Sequence, residues 1–127
     1  MMRIPLLAAL LCACASAHAQ DPVHTDGGKY KPLLDNPCVR VLEYRDQPGD
    51  RTQPHRHPAF VLYALSAFKR RLHLPDGQVL AREFKAGDVM WSPAQTHIGE
   101  NAGATPTHVL IVETKPDAGT NPACSAR

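Results

Sequence analysis

The chain has 127 residues, 14 Lys+Arg against 12 Asp+Glu, and a formal net charge of +2. The length fits one domain, and the charge is too small for a nucleic-acid-binding face or a polybasic membrane patch. Charged residues make up 20% and hydrophobic ones 43%, a globular balance, while 12 Pro and 8 Gly interrupt the chain too often for long helices.

At the N-terminus, Arg3 precedes an apolar run from Ile4 to Ala17 that ends in Ala17-His18-Ala19. A basic start, a short hydrophobic stretch and a small-x-small site predict a signal peptide over 1–19. The run is shorter than the roughly 20 residues of a membrane helix. The expectation is an exported protein, periplasmic or secreted, with no membrane attachment once the signal is removed. Acylation at Cys14 is a weaker alternative, because Cys12 sits where such signals prefer a small or hydroxyl residue. Cleavage after Ala19 takes Arg3, Cys12 and Cys14 away and leaves 108 residues. Cys38 and Cys124 remain. In an oxidising compartment such a lone pair reads as a disulfide, with two unrelated buried thiols as the alternative.

Residues 20–37 form an N-terminal leader whose first part is rich in Asp, Gly and His, and whose start is expected to be poorly ordered. Short runs separated by turn signals follow. Val39 to Tyr44 is rich in β-branched residues. Phe60 to Leu65 is apolar throughout and predicts a strand buried on both faces. Lys69 to Leu74 and Gln78 to Phe84 flank Pro75-Asp76-Gly77, a hairpin signal. Val89-Met90-Trp91 follows Ala86-Gly87-Asp88, with Met90 and Trp91 expected to fill core. Thr96 to Asn101 is short and polar, and Thr107 to Glu113 is the clearest strand. Residues 115–127 are a tail anchored only if Cys124 is bridged. Seven or eight short strands without an amphipathic helix predict an all-β sandwich or barrel over 38–114.

Seven histidines are many for this length. His55 and His57 stand at i, i+2, a spacing that puts both on one face of an extended strand. Pro54 and Pro58 flank them and favour extended backbone. Two imidazoles on one face can share one metal ion, and His97 on another short strand is a third candidate. No Cys pair has zinc-site spacing. There is no nucleophile elbow and no Gly-rich phosphate loop. Glu83, Glu100 and Glu113 are scattered and do not suggest a paired-carboxylate hydrolase. Lys69-Arg70-Arg71 with His73 reads as a solvated strand face, or as a screen for anionic substrates.

The segment from Gly49 to His57, a glycine followed after five residues by His55-Arg56-His57, resembles the first motif of the cupin superfamily. Gly87, five further residues, Pro93, then His97 and Asn101 resemble the second. The resemblance covers residues 38–114 and implies a double-sheet, jelly-roll-like β-barrel whose motif histidines hold a divalent metal. The sequence departs from the pattern in three places. Val61 stands where many members carry a glutamate ligand. Ser66 lies near the glycine that usually closes motif one. Pro93 and His97 are one residue closer than usual and lack the glycine between them. The site is then a three-His site, or has lost its metal, or draws a ligand from elsewhere.

Three neutral imidazoles leave a divalent ion its full +2 charge and suit Fe, Zn, Cu or Ni. Some members of the family are Fe(II) dioxygenases with three histidines, an activity the resemblance allows. If strand parity continues past His57, then Ala59, Val61, Tyr63 and Leu65 face inward too. Tyr63 is then either a catalytic hydrogen-bond donor or a core aromatic. Gln53 could reach the metal rim, Asn101 could orient a ligand or close a turn, and His108 is a fourth ligand or a surface residue. The expected function is a metal-dependent enzyme, an oxygenase or an isomerase/lyase, acting on a small, anionic molecule. The alternatives are a non-catalytic periplasmic metal- or ligand-binding protein and a metal-free barrel for an apolar ligand. Members of the family often form homodimers.

Overall fold

The computed structural model describes residues 20–125; the expected signal segment lies outside them. It is an all-β barrel made of two antiparallel sheets. A short helix, α1 (Pro22–Thr25), is capped by Asp21, whose carboxylate accepts from the Val23 amide. The strands are β1 (Tyr30–Asp35), β2 (Val39–Asp46), β3 (His55–His57), β4 (Phe60–Ala64), β5 (Phe68–His73), β6 (Val79–Phe84), β7 (Val89–Ser92), β8 (Gln95–Asn101) and β9 (Thr107–Thr114). The first sheet has the order β1-β2-β9-β4-β7 and the second β3-β8-β5-β6.

Among the described residues nine strands therefore replace the seven or eight expected, and the first of them begins earlier than residue 38. The leader is ordered: β1 pairs with β2 along its length, with a register shift between Pro32 and Leu34. Pro32 is tolerated because β1 is an edge strand and owes no second ladder. The predicted hairpin is present, with β5 and β6 joined through Gly77 at φ +86°.

The core between the sheets holds Tyr30, Leu42, Tyr44, Phe60, Leu62, Ala64, Phe68, Phe84, Val109 and Ile111. Met90 packs against it as expected. Trp91 does not; it is 65% exposed. Met90 and Trp91 are neighbours on β7 and must face opposite sides of the sheet. For Tyr63, the expected parity breaks at Pro58-Ala59. There the chain leaves the four-stranded sheet after β3 and enters the five-stranded one as β4. Phe60, Leu62 and Ala64 then point inward, and Val61, Tyr63 and Leu65 outward. The strand β4 is buried on one face, not two. Leu34, Val41, Val112, Val61 and Trp91 become successive cross-strand partners on the outer face of the five-stranded sheet.

The bridge between Cys38 and Cys124 is present. It ties the 3-10 turn Pro122–Cys124 to the start of β2. Among the described residues no helix is long and apolar enough to cross a membrane.

Candidate metal centre

Strand β3 is three residues long, and its burial alternates: His55 and His57 are inside, Arg56 outside. It pairs with β8 so that His55 stands opposite His97. Local parity and one register thus bring three imidazoles together. Their exposures are 0%, 1% and 5%, and each offers a ring nitrogen within 4.8 Å of the others.

Two of the rings are held in one tautomer. His55 Nδ1 lies 2.9 Å from the Gln53 carbonyl, which can only accept, so Nδ1 donates. His57 Nδ1 donates to the Glu113 carboxylate at 2.6 Å. Both Nε2 atoms are left to face the interior, 3.1 Å apart. Burial, then the neighbouring His57, lowers the His55 pKa to about 4, and burial with both neighbours lowers that of His97 to about 2. His55 and His97 are therefore neutral at pH 7, the form a metal requires.

A divalent transition metal fits these residues. Two imidazoles bound at ~2.1 Å and at right angles would have their nitrogens about 3.0 Å apart, close to the observed pair. Without a cation, two lone pairs in the neutral rings would oppose each other there. His97 Nδ1 is buried with no hydrogen-bond partner, a costly state for a polar atom. The donation of Nδ1 to a carbonyl or carboxylate is also the usual support of a metal-bound histidine.

Glu113, 2% exposed on β9, escaped the sequence reading. Its partner is 56 residues away, so no local motif marks it. Burial would push its carboxyl up, but the hydrogen bonds from His57 and Arg40 outweigh burial and hold it below the usual range. Arg40 Nε donates to Glu113 at 2.6 Å, and Arg40 also pairs with Asp21 at 2.7 Å. The leader is thus tied to the support of His57. Tyr30 was missed as well. It is 3% exposed, and its hydroxyl lies 3.2 Å from His55 Nε2.

Arg70 corrects the reading of the basic run. Lys69 and Arg71 point outward, but Arg70 points in and is 8% exposed. It donates to Asp46 and to the Tyr44 hydroxyl, both at 2.9 Å, and its guanidinium lies over the Tyr44 ring. The alternation Phe68, Arg70, Leu72 was the available signal. Register puts this cluster at the opposite end of β2 and β9 from Glu113, since Asp46 pairs with Thr107 and Arg40 with Glu113.

The remaining candidates separate cleanly. Tyr63 is 43% exposed on the outer face of β4, so the expected role beside the metal fails with the parity. His108 also points out, with Nε2 2.8 Å from Glu43, and is not a fourth ligand. Gln53 has an exposed side chain and acts through its backbone: the carbonyl accepts from His55 Nδ1 and the amide donates to the Asp26 carboxylate. Asn101 closes a turn: its side chain donates to the Thr105 carbonyl and to Asp46, and accepts from the Gly103 amide. Val61 points outward, and the inward residues of β4 are apolar, so this strand offers no carboxylate.

A cleft of about 930 Å³ opens beside His97, lined among others by His24, Gln53, His73, Pro75 and Ile98. A second, of about 650 Å³, reaches Glu113 between Arg40, Arg56 and Lys115.

No family model and no curated protein matches the chain. Solved structures do. A cupin domain from Bordetella pertussis Tohama I is 26% identical over 68% of this chain and 91% of its own, with a TM-score of 0.62. A protein with a double-stranded β-helix domain from Klebsiella pneumoniae is 25% identical over 70% and 80%, with a TM-score of 0.53. An enzyme shares the fold: the polyketide cyclase RemF from Streptomyces resistomycificus is 19% identical over 75% and 80%, with a TM-score of 0.53. Its two sheets, its paired motifs and these neighbours give the chain the double-stranded β-helix fold of the cupins and support its membership of the cupin superfamily.

Proposed function

We propose that this cupin is an exported, metal-dependent enzyme that holds Fe, Zn, Cu or Ni through His55, His57 and His97. Its reaction is an oxygenation, or an isomerisation or elimination, of a small anionic molecule. The observation that carries the reading is the donor set itself: three buried imidazoles, two of them fixed through Nδ1, and no carboxylate among the donors. A divalent ion there supplies an electrophilic centre of undiminished +2 charge with positions left for anionic donors. Arg70 adds a fixed positive charge inside the barrel, one of the causes that lower His55 and His97. The Cys38–Cys124 bridge supports export to an oxidising compartment.

The burial of the trio favours a second reading, in which the metal is held without turnover. Elemental analysis of the full chain purified from the compartment to which it is exported tests both. About one transition-metal ion per chain is expected, lost in His57→Ala. Turnover of small carboxylates or enols, or O₂ uptake with them, selects the enzyme. Tight metal with no such activity selects the binding protein. No metal, together with an unchanged thermal midpoint in His57→Ala, rejects both.

We further propose that the chain pairs with a second copy through the outer face of the five-stranded sheet. The exposed parts of Leu34, Val61, Tyr63, Val89 and Trp91 amount to on the order of 500 Å² per copy, near the upper end of what a monomer leaves bare. Two such faces approach the ~1,200 Å² of a small stable dimer. Sedimentation should show a dimer in the wild type and a monomer in Trp91→Glu. A wild-type monomer overturns this, and flotation of that monomer with lipid vesicles would assign the face to membranes instead.

A further inference from the structure

Tyr30 opens β1 and turns its side chain into the barrel, edge-on to the His55 ring at 5.4 Å and against Tyr44 at 4.5 Å. Among the described residues its hydroxyl has one hydrogen-bond partner, His55 Nε2 at 3.2 Å. His55 Nδ1 is committed as a donor to the Gln53 carbonyl, so in the neutral ring Nε2 is an acceptor. The Tyr30 hydroxyl therefore donates into the same lone pair that a metal would take. The two uses exclude one another. When that lone pair goes to a metal ion, Tyr30 keeps a buried O–H with no acceptor, a state proteins avoid.

The hydroxyl is also 3.2 Å from one of two nitrogens that are themselves 3.1 Å apart. An oxygen atom held beside those nitrogens would be within hydrogen-bond reach of it. We propose that Tyr30 is the recognition group of the site: its hydroxyl leaves His55 and donates to an oxygen anion of the small molecule bound at the metal. This rests on the three-histidine reading above and narrows its substrate class to oxygen-donor anions, such as carboxylates, enolates or hydroxamates. The same exchange gives Tyr30 opposite effects on the two binding steps. It competes with the metal alone and favours the metal with its anion.

The test uses the full chain loaded with Co(II), with acetohydroxamate as the probe anion and visible absorption as the readout. Tyr30→Phe should weaken probe binding five- to twentyfold, while its Co(II) affinity, measured by chelator competition, stays equal or rises. Tyr44→Phe should leave probe binding unchanged, because the Tyr44 hydroxyl is tied to Asp46 and Arg70. Probe binding within twofold of wild type in Tyr30→Phe overturns the proposal. So does a parallel loss of metal and probe affinity, which would mark Tyr30 as merely structural. No Co(II) uptake by wild type, with His57→Ala making no difference, would remove the metal reading and this inference together. If Tyr30→Phe does not fold, the Tyr30 hydroxyl proton is followed by NMR in the unaltered chain. It should lose its His55 coupling on addition of Zn(II) and regain protection with the probe; persistence of the His55 bond in the Zn(II) form overturns the proposal.

Discussion

Gly99 and Arg70 occupy space that only a glycine can share. A Cβ built on Gly99 would collide with Arg70 Nη2 and come within 3.0 Å of its Cζ. The guanidinium cannot retreat cheaply, because Asp46 and the Tyr44 hydroxyl hold it. Gly99 is thus the seat of a buried cation two residues from His97. Gly99→Ala should cost about 2–3 kcal/mol, as overpacking strains a buried ion pair. Chemical denaturation measures it. In Arg70→Met the same glycine substitution should cost far less, and equal costs in both backgrounds would refute the shared-space account.

Glu113 should matter to the metal more than to the fold. Glu113→Gln keeps the shape but loses the charge that fixes the His57 tautomer. Metal affinity should fall ten- to a hundredfold, the usual cost of removing such a support. Chelator competition with Zn(II) reads it, and an unchanged affinity would show that His57 needs no orienting group.

Asp46 predicts the acid limb of stability. Burial alone would raise its pKa, but hydrogen bonds from Tyr44 and the charge of Arg70 win, and the net shift is downward. A depressed folded pKa contributes stability that is present above the unfolded value of about 4 and lost as pH falls through the folded value. Urea midpoints of the wild type should therefore drop below pH 4. In Asp46→Asn the midpoint at pH 7 is lower, and the further loss between pH 4 and pH 3 is shallower. A parallel acid limb would assign the loss to other carboxylates, with Glu113 the next candidate.

Removing the bridge tests the tail. The loop spans 86 residues, for which chain entropy alone gives about 4–5 kcal/mol, an upper figure. Cys38→Ser/Cys124→Ser should lower the thermal midpoint clearly and release the 3-10 turn to proteolysis. The His trio, set by β3 and β8, should still bind metal.

His55 and His57 were readable because period-two parity is a local property, and Pro54 and Pro58 signal extended backbone on both sides. His97 was readable through a spacing pattern. Three of the failures, at Tyr63, Glu113 and Tyr30, share one cause, long-range pairing. Tyr63 was assigned inward on the assumption that parity continues, but the sheet a strand joins is decided by distant partners; Trp91 was placed in the core beside Met90, although neighbours on one strand cannot both face in. Glu113 and Tyr30 act through residues 56 and 25 positions away, and the leader looked too polar to hold a strand. Arg70 was legible in principle, since it alternates with Phe68 and Leu72, but the run of three cations drew the eye to charge instead of period.

Pro58 separates two inheritances. Two of the three histidines lie on the three-residue strand β3 and the third on its neighbour β8, while most of the residues that hold the barrel together lie in the other sheet. Substitutions in β3 can change the chemistry without touching the strands that carry most of the core. Substitutions at Leu62 or Ala64 in β4 can change its packing apart from the ligands, whereas Phe60 packs on the His57 ring, with centroids 5.2 Å apart. In a barrel arranged this way the ligand strands and most of the core belong to different sheets and can vary largely apart.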